Sequence, residues 1–391
     1  MRKKLSCLLM IFIMFLTIQG TSDVLADELQ NVKLNNYNAT SKTADVTMPN
    51  SKENDDIYDK ALLIGRFDTS DPAGPKFAWS NTTIKAKFKG TGISVNFKII
   101  GDNWFDVIID GQLKTPIYVS ETTAFPMTLA SGLKNEKHTL ELVKRTEAFW
   151  GEVQFLGLTV TDGKLLDPPT PSSRRIMFIG DSITCGYGDE GTDPKQKAQE
   201  EHENSNLAYG ALTAKNLGAD SMIIGWSGIG ILRDCDGHSS NVMPKRYDTI
   251  VPYTSNKLWD SNKWTPKVIV INLGTNDFSV DPKVSSPIPD KTAFTSAYSA
   301  FLDHIRSQYP KAYIYCAIGP MLSGDKLKIQ REYVRDMVRS RKSAGDNRIH
   351  FIEFPIQNPH NGYGEEHHPS LKTHALMASQ LTEQIKDDLG W

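Results

Sequence analysis

The 391-residue chain is poor in several things that would each have pointed to a function. It has four cysteines, and Cys7 falls inside the apolar N-terminal run. Cys185, Cys235 and Cys316 remain, an odd number that excludes a disulfide-built scaffold. Positive charge is not in excess, since 44 Lys and Arg stand against 46 Asp and Glu for a net charge of −2. Nucleic-acid binders and polybasic membrane-surface proteins both carry a basic surplus, so neither class is expected. Past the N-terminus no apolar run is long enough to span a bilayer. The histidines do not fall at metal-ligand spacing, and no metal or cofactor is expected. Nothing in the sequence requires an obligate protein partner.

What is present begins with an export signal. Arg2, Lys3 and Lys4 precede a nearly unbroken apolar run from Leu5 to Ile18, and Val24-Leu25-Ala26 offers small residues for cleavage. This is the layout of a secretory signal peptide over residues 1–26, so the mature protein is expected outside the cell with no membrane anchor. It retains about 365 residues, enough for two domains. Residues 27–56 are polar, rich in Asn, Thr and Lys, and read as a loose lead-in.

Residues 57–165 read as a β domain. Short runs alternate with period two: 62–67, 83–88, 93–99, 104–109, 138–143 and 153–160. Turn residues separate them, and Asp110-Gly111 is a strong tight-turn marker. With no convincing helical pattern, this spacing implies a sandwich of the jelly-roll kind. Trp79, Trp104 and Trp150 are expected mostly to fill its core. Residues 166–173, rich in proline, form a stiff connector.

From 174 to 391 the pattern changes to βα alternation. Buried-looking strands at 175–179, 221–225, 267–272, 312–318 and 348–353 alternate with helical patterns at 206–216, 292–308, 327–341 and 371–389. Five such strands imply a parallel sheet with helices on both faces. Reactive groups then belong at the shared C-terminal rim of the strands. Four short blocks fall there: Gly180-Asp181-Ser182, Trp226-Ser227-Gly228-Ile229-Gly230, Gly274-Thr275-Asn276-Asp277, and His367-His368-Pro369-Ser370. Cys185 and Cys235 both lie in loops on that side, and a Cys185–Cys235 disulfide is expected. Cys316 lies in an apolar strand and is expected to be a buried free thiol.

Gly-Asp-Ser, a glycine-bearing loop, Gly-x-Asn-Asp and His-Pro, in this order, resemble the SGNH (GDSL) hydrolase superfamily. Within it, Gly180-Asp181-Ser182-Ile183-Thr184-Cys185-Gly186-Tyr187-Gly188, Ser227-Gly228-Ile229-Gly230 and His368-Pro369-Ser370 are similar to carbohydrate esterase family 2, as is a sandwich placed before the catalytic domain. The resemblance covers nearly all of the mature chain. It implies an α/β fold: the N-terminal β-sandwich followed by an SGNH-type three-layer α/β/α domain with a five-stranded parallel sheet.

The chemistry is that of an ester hydrolase. Ser182 Oγ is the candidate nucleophile and His368 the base, chosen over His367 because Pro369 follows it and would open the last helix at its first position. The oxyanion is expected on the N–H groups of Ser182 and Gly228 and the side-chain amide of Asn276. Asp181 and Asp277 are expected to hold the loops by accepting backbone N–H bonds. The acid that orients His368 is ambiguous. The resemblance puts an aspartate two or three residues before the histidine, where Glu366 and Glu365 stand here. A Ser–His pair with the histidine held by a backbone carbonyl is the alternative. Tyr187, Trp226 and Tyr363 lie near the rim and would suit a sugar ring. The expected function, implied by the resemblance, is an acetyl xylan esterase acting on acetylated polysaccharide or oligosaccharide, xylan or mannan. A lipase or acylesterase, a peptidoglycan O-acetyl esterase, and a non-catalytic carbohydrate-binding protein are the alternatives.

Overall fold

A computed structural model describes residues 60–391. The expected signal segment, the whole polar lead-in and residues 57–59 of the expected β domain lie outside the described residues. Eleven strands make up the first part: β1 (Ala61–Ile64), β2 (Lys76–Phe77), β3 (Thr83–Gly90), β4 (Gly92–Gly101), β5 (Asn103–Ile109), β6 (Gln112–Leu113), β7 (Ile117–Val119), β8 (Met127–Ala130), β9 (Glu136–Lys144), β10 (Gly151–Thr161) and β11 (Lys164–Leu165). They form two antiparallel sheets. One has the order β1-β3-β9-β5-β6, with β11 on β3 and β7 on β5; the other has the order β2-β10-β4-β8.

Period-two alternation drives this packing. In β3 and β4, apolar residues such as Ile84, Ala86, Phe88, Val95 and Phe97 point inward, while Lys87 and Asn96 face away. Phe77, Phe97, Phe105 and Phe155 meet between the sheets with ring centroids 5.2 to 6.3 Å apart. Asp110 (φ 53°) and Gly111 (φ 74°) both take left-handed backbone and close a two-residue hairpin between β5 and β6, the geometry their pairing in sequence predicts.

Residues 166–173 contain no helix or strand. Five parallel strands follow: β12 (Arg175–Gly180), β13 (Asp220–Gly225), β14 (Val268–Asn272), β15 (Tyr313–Ile318) and β16 (Ile349–Glu353). Their order is β13-β12-β14-β15-β16. Alternation splits each strand between two cores. Met177 and Ile179 pack with the helices Lys291–Gln308 and Gly324–Ser343, whereas Ile176 and Phe178 pack with the helices Tyr209–Asn216 and Leu371–Leu389. The result is the expected three-layer α/β/α domain on a five-stranded sheet.

Two local expectations are corrected. The helix placed at 206–216 starts at Tyr209, because Ser205 instead turns its hydroxyl to the Lys144 carbonyl of the sandwich at 3.1 Å. The last helix is capped by Ser370, whose Oγ accepts from Thr373 N–H at 3.3 Å, so Pro369 stands just before the cap and not at the first helical position.

The two parts meet through buried groups. The guanidinium of Arg66 donates to the carbonyls of Tyr247 and Thr249. The Trp79 ring reaches the same Thr249 carbonyl with its indole N–H at 3.2 Å. Trp79 therefore belongs to the core shared with the α/β domain and not to the sandwich core.

Candidate active site

The strand order reverses at β12. After β12 the chain goes to one side, to β13, then returns to the other, to β14. Such a switch point opens a crevice beyond the strand ends. Gly180, the last residue of β12, pairs with Gly225 of β13 and Asn272 of β14, so the first three motif loops leave the sheet at one level.

Asp181 caps a one-turn helix, Ser182–Cys185, by accepting the Ile183 N–H at 3.0 Å. Ser182 opens that turn and is 7% exposed. His368, 186 positions later, places Nε2 2.9 Å from Ser182 Oγ. Its other nitrogen, Nδ1, lies 3.1 Å from the backbone carbonyl of Glu365. A carbonyl can only accept, so Nδ1 carries the proton and Nε2 presents its lone pair to the serine hydroxyl. Burial, more than any charge nearby, pushes the His368 pKa down to about 4, which keeps the ring neutral.

Neither glutamate supplies the orienting acid. The Glu365 carboxylate points away from the histidine and accepts from His202 Nδ1 at 2.7 Å and the Gln199 N–H at 3.0 Å. Glu366 accepts the Tyr187 hydroxyl at 2.6 Å. The backbone explains both. Glu366 (φ 47°) and His367 (φ 59°) are in left-handed conformation, which swings the Glu365 carbonyl, not a carboxylate, under the His368 ring. The Ser–His pair with a carbonyl is the arrangement present.

The second block is tied from several directions. Asp277 accepts the N–H groups of Ile231, Leu232 and Arg233 at 2.9, 2.7 and 3.1 Å. The Asn276 amide donates to the Ile229 carbonyl at 2.8 Å and approaches Asp181 at 3.4 Å. The three candidate oxyanion contributors are thus linked: Ser182 through its cap Asp181, Asn276 directly, and Gly228 through the neighbouring Ile229. Gly228 adopts φ 77°, and a Cβ there would sit 3.0 Å from Cys235 Sγ. Burial raises Asp181 to about 7 and Asp277 to about 6. Both carboxylates hold loops, as expected.

Of the three aromatic candidates, one packs on the catalytic histidine and a second on its neighbour. Tyr187 lies with its ring 4.7 Å from His368, and Tyr363 packs on His367 at 5.8 Å. Trp226 does not line the opening. It is 5% exposed and joins the core, edge-on to Trp79, with Arg246 lying 3.8 Å over its ring. Its neighbours Phe149 and Tyr253 are the exposed rings there, 57% and 46% accessible.

The expected Cys185–Cys235 disulfide is absent. All three thiols in the described residues are free. Cys185 sits at the end of the turn that carries Ser182 and faces the buried Glu147 carboxylate at 3.9 Å, while Cys235 is exposed beside Gly228. Cys316 is buried, as its strand implies. Among the described residues, Asp234, Asp236 and His238 bring donor atoms within 4.8 Å of one another. One oxygen of Asp234 already accepts the backbone N–H groups of the other two, so the cluster reads as a turn.

Sequence reasoning missed Glu147, Glu203 and His202. Glu147 and Glu203 are fully buried where sandwich and sheet meet, and His202 holds Glu365. No motif marks them, because each is defined by a partner far away in sequence.

Residues 63–169 match the family model "Carbohydrate esterase 2 N-terminal", and residues 178–376 match "GDSL-like Lipase/Acylhydrolase family". Both matches lie in the expected order. A solved family two carbohydrate esterase from Clostridium thermocellum, in complex with cellohexaose, superposes with a TM-score of 0.81 at 47% identity, covering 85% of this chain and 99% of that one.

The chain belongs to carbohydrate esterase family 2.

Two curated relatives extend the comparison. Cellulase/esterase CelE of Acetivibrio thermocellus is 47% identical over 330 residues, which is 84% of this chain but 40% of CelE. The chain therefore spans less than half of that relative's length. An acetylxylan esterase / glucomannan deacetylase of Cellvibrio japonicus is 30% identical over 332 residues, 82% of this chain and 87% of that protein. Membership of family 2 makes the chain a carboxylic ester hydrolase.

Proposed function

We propose that this family 2 member is an exported serine esterase that removes O-acetyl groups from plant cell-wall polysaccharide, xylan or mannan. The observation that carries the reading is the 2.9 Å contact between neutral His368 and Ser182, with the opposite nitrogen committed to a carbonyl. Ser182 Oγ attacks the acetyl carbonyl as His368 Nε2 takes its proton. The oxyanion is met by the N–H groups of Ser182 and Gly228 and by the Asn276 amide, which keeps its 2.8 Å bond to the Ile229 carbonyl and turns to the oxyanion the N–H that otherwise approaches Asp181 at 3.4 Å. Collapse breaks the bond between the acyl carbon and the sugar oxygen, and His368 returns the proton to that oxygen. Water then attacks the acetyl-serine by the same route, releasing acetate and restoring Ser182.

Several observations support a sugar as the leaving group. Relatives are named for acetylxylan and glucomannan, and one was solved with cellohexaose. Tyr187 stands beside the base, Tyr363 packs on the neighbouring His367, and the exposed faces of Phe149 and Tyr253 suit the apolar side of a pyranose. Export is supported by the basic start and apolar run of residues 2–18.

The test compares acetate release from acetylated xylan and glucomannan with hydrolysis of an octanoate ester, wild type beside Ser182→Ala. Acetate release that vanishes in the variant is expected. Fast octanoate cleavage without acetate release would establish the lipase alternative. N-terminal sequencing of protein from the culture medium is expected to begin near Asp27.

A further inference from the structure

Between β9 and β10 the sandwich sends a short loop, residues 145–150, into the α/β domain. Glu147 in this loop is fully buried. Its Oε2 accepts the main-chain N–H of Ser227 at 2.7 Å, and its Oε1 accepts the Ser227 hydroxyl. One carboxylate thus grips the only two donors that Ser227 possesses. The loop is itself locked. The Glu147 N–H donates to Glu203 Oε1 at 2.6 Å, the Trp150 indole donates to Glu203 Oε2 at 2.7 Å, and Lys144 Nζ donates to the Thr146 and Glu147 carbonyls at 2.7 and 3.2 Å.

Ser227 immediately precedes Gly228, and the peptide between them carries the Gly228 N–H. The Ile229 N–H closes a turn onto the Trp226 carbonyl at 3.3 Å across Ser227 and Gly228, and the remaining hydrogen bonds of this segment lie to either side of that peptide. Trp226 N–H is held by the Gly180 carbonyl at 3.2 Å, the Gly228 carbonyl accepts from Cys235 N–H at 2.9 Å, and the Ile229 carbonyl accepts from Asn276 at 2.8 Å. A glycine at positive φ has wide freedom, so its N–H direction depends on what fixes its neighbours. Ser227 is fixed from the far domain.

We infer that Glu147 is the positioning residue of the oxyanion loop: the sandwich, through this carboxylate, holds Ser227 so that the Gly228 N–H faces the acyl oxygen at Ser182. The inference rests on the esterase reading above. It also accounts for an expensive choice. Two buried carboxylates and a buried lysine are a poor way to hold two domains together, because desolvation offsets most of their attraction. Donors preorganised toward a developing charge are where such an arrangement has its use.

The experiment uses the whole chain with p-nitrophenyl acetate. Glu147→Ala is expected to lower kcat by about 10²-fold, toward the loss of a full oxyanion donor, with KM changed by less than about 3-fold. Ser227→Ala removes one of the two gripped donors and is expected to lose part of the same kcat. The double variant should be no worse than Glu147→Ala, because both act through one contact. Glu147→Gln, which keeps an acceptor for the N–H and a polar group for the hydroxyl, should recover most of the activity. If Glu147→Ala does not fold, Ser227→Ala and Glu147→Gln carry the test from the two sides of the contact. A folded Glu147→Ala with unchanged thermal midpoint and near-wild-type kcat overturns the inference, as do additive losses in the double variant. Ser182→Ala, run alongside, separates the failures: turnover there sinks the esterase reading, whereas a dead Ser182→Ala beside a fully active Glu147→Ala sinks only the role of Glu147.

Discussion

Glu366→Gln removes the nearest negative charge from the segment before the base while keeping its shape. If a carboxylate oriented His368, the change would break the tautomer and cost about 10⁴-fold in kcat, the scale of the Asp-to-Asn change in a serine protease triad. Here the proton on Nδ1 goes to the Glu365 carbonyl, which the substitution leaves in place. The Glu366 carboxylate is exposed and accepts from the Tyr187 hydroxyl and, at 3.5 Å, from the Ala198 N–H, so the substitution weakens surface hydrogen bonds worth up to about 1 kcal/mol. The expected kcat falls by less than about 3-fold, or roughly 0.6 kcal/mol of barrier. Glu365→Gln behaves differently in one respect. Its carboxylate is 1% exposed and anchors His202 and the Gln199 N–H, so the fold should lose about 1–3 kcal/mol while kcat of the folded enzyme stays near wild type. Initial rates on p-nitrophenyl acetate and on acetylated xylan, with thermal midpoints, measure both. A drop of about 10²-fold or more in kcat for either variant, at unchanged thermal midpoint, would refute the carbonyl-held pair.

Other consequences are equally direct. The base must be neutral to act, and burial holds the folded His368 pKa at about 4, below its usual 6.5. The acid limb of kcat/KM should therefore fall as pH drops through about 4, with activity level across pH 5 to 7; a limb near 6.5 contradicts the burial argument. Asn276→Ala should lower kcat by about 10²–10³-fold with little change in KM, and a rise in KM alone would assign it to substrate binding instead. Alkylation of the denatured, unreduced mature protein should label all three thiols, read by intact mass; two unlabelled cysteines would restore the Cys185–Cys235 bridge.

Much of the fold was legible because its signals are local. The five sheet strands are continuous apolar runs, and their observed bounds differ from the expected ones by a residue or so. The helix at 291–308 announces itself through Phe294, Tyr298, Phe301 and Ile305. The small strands β2, β6, β7, β8 and β11 were not legible. Two to four residues long, they are strands only because a neighbour is there to pair with. The same distinction divides the site. Ser182, Gly228, Asn276 and His368 lie in motifs whose residue types the chemistry demands. The partner of His368 is a main-chain oxygen, which every residue carries, so the letters at 365 and 366 could not reveal it. Trp226 read as a rim aromatic because it follows a strand. Its burial depends on Trp79 and Arg246, which arrive from elsewhere in the chain.

The junction made by Arg66 and Trp79 has a consequence for ancestry. Both side chains leave the sandwich and end on carbonyls of the 247–249 turn, inside the other family model's span. A catalytic half recombined onto a different partner would expose those carbonyls and the apolar surface around them. The two halves are therefore predicted to be exchanged together, with shuffling acting at the ends of the pair rather than at the proline-rich seam between them.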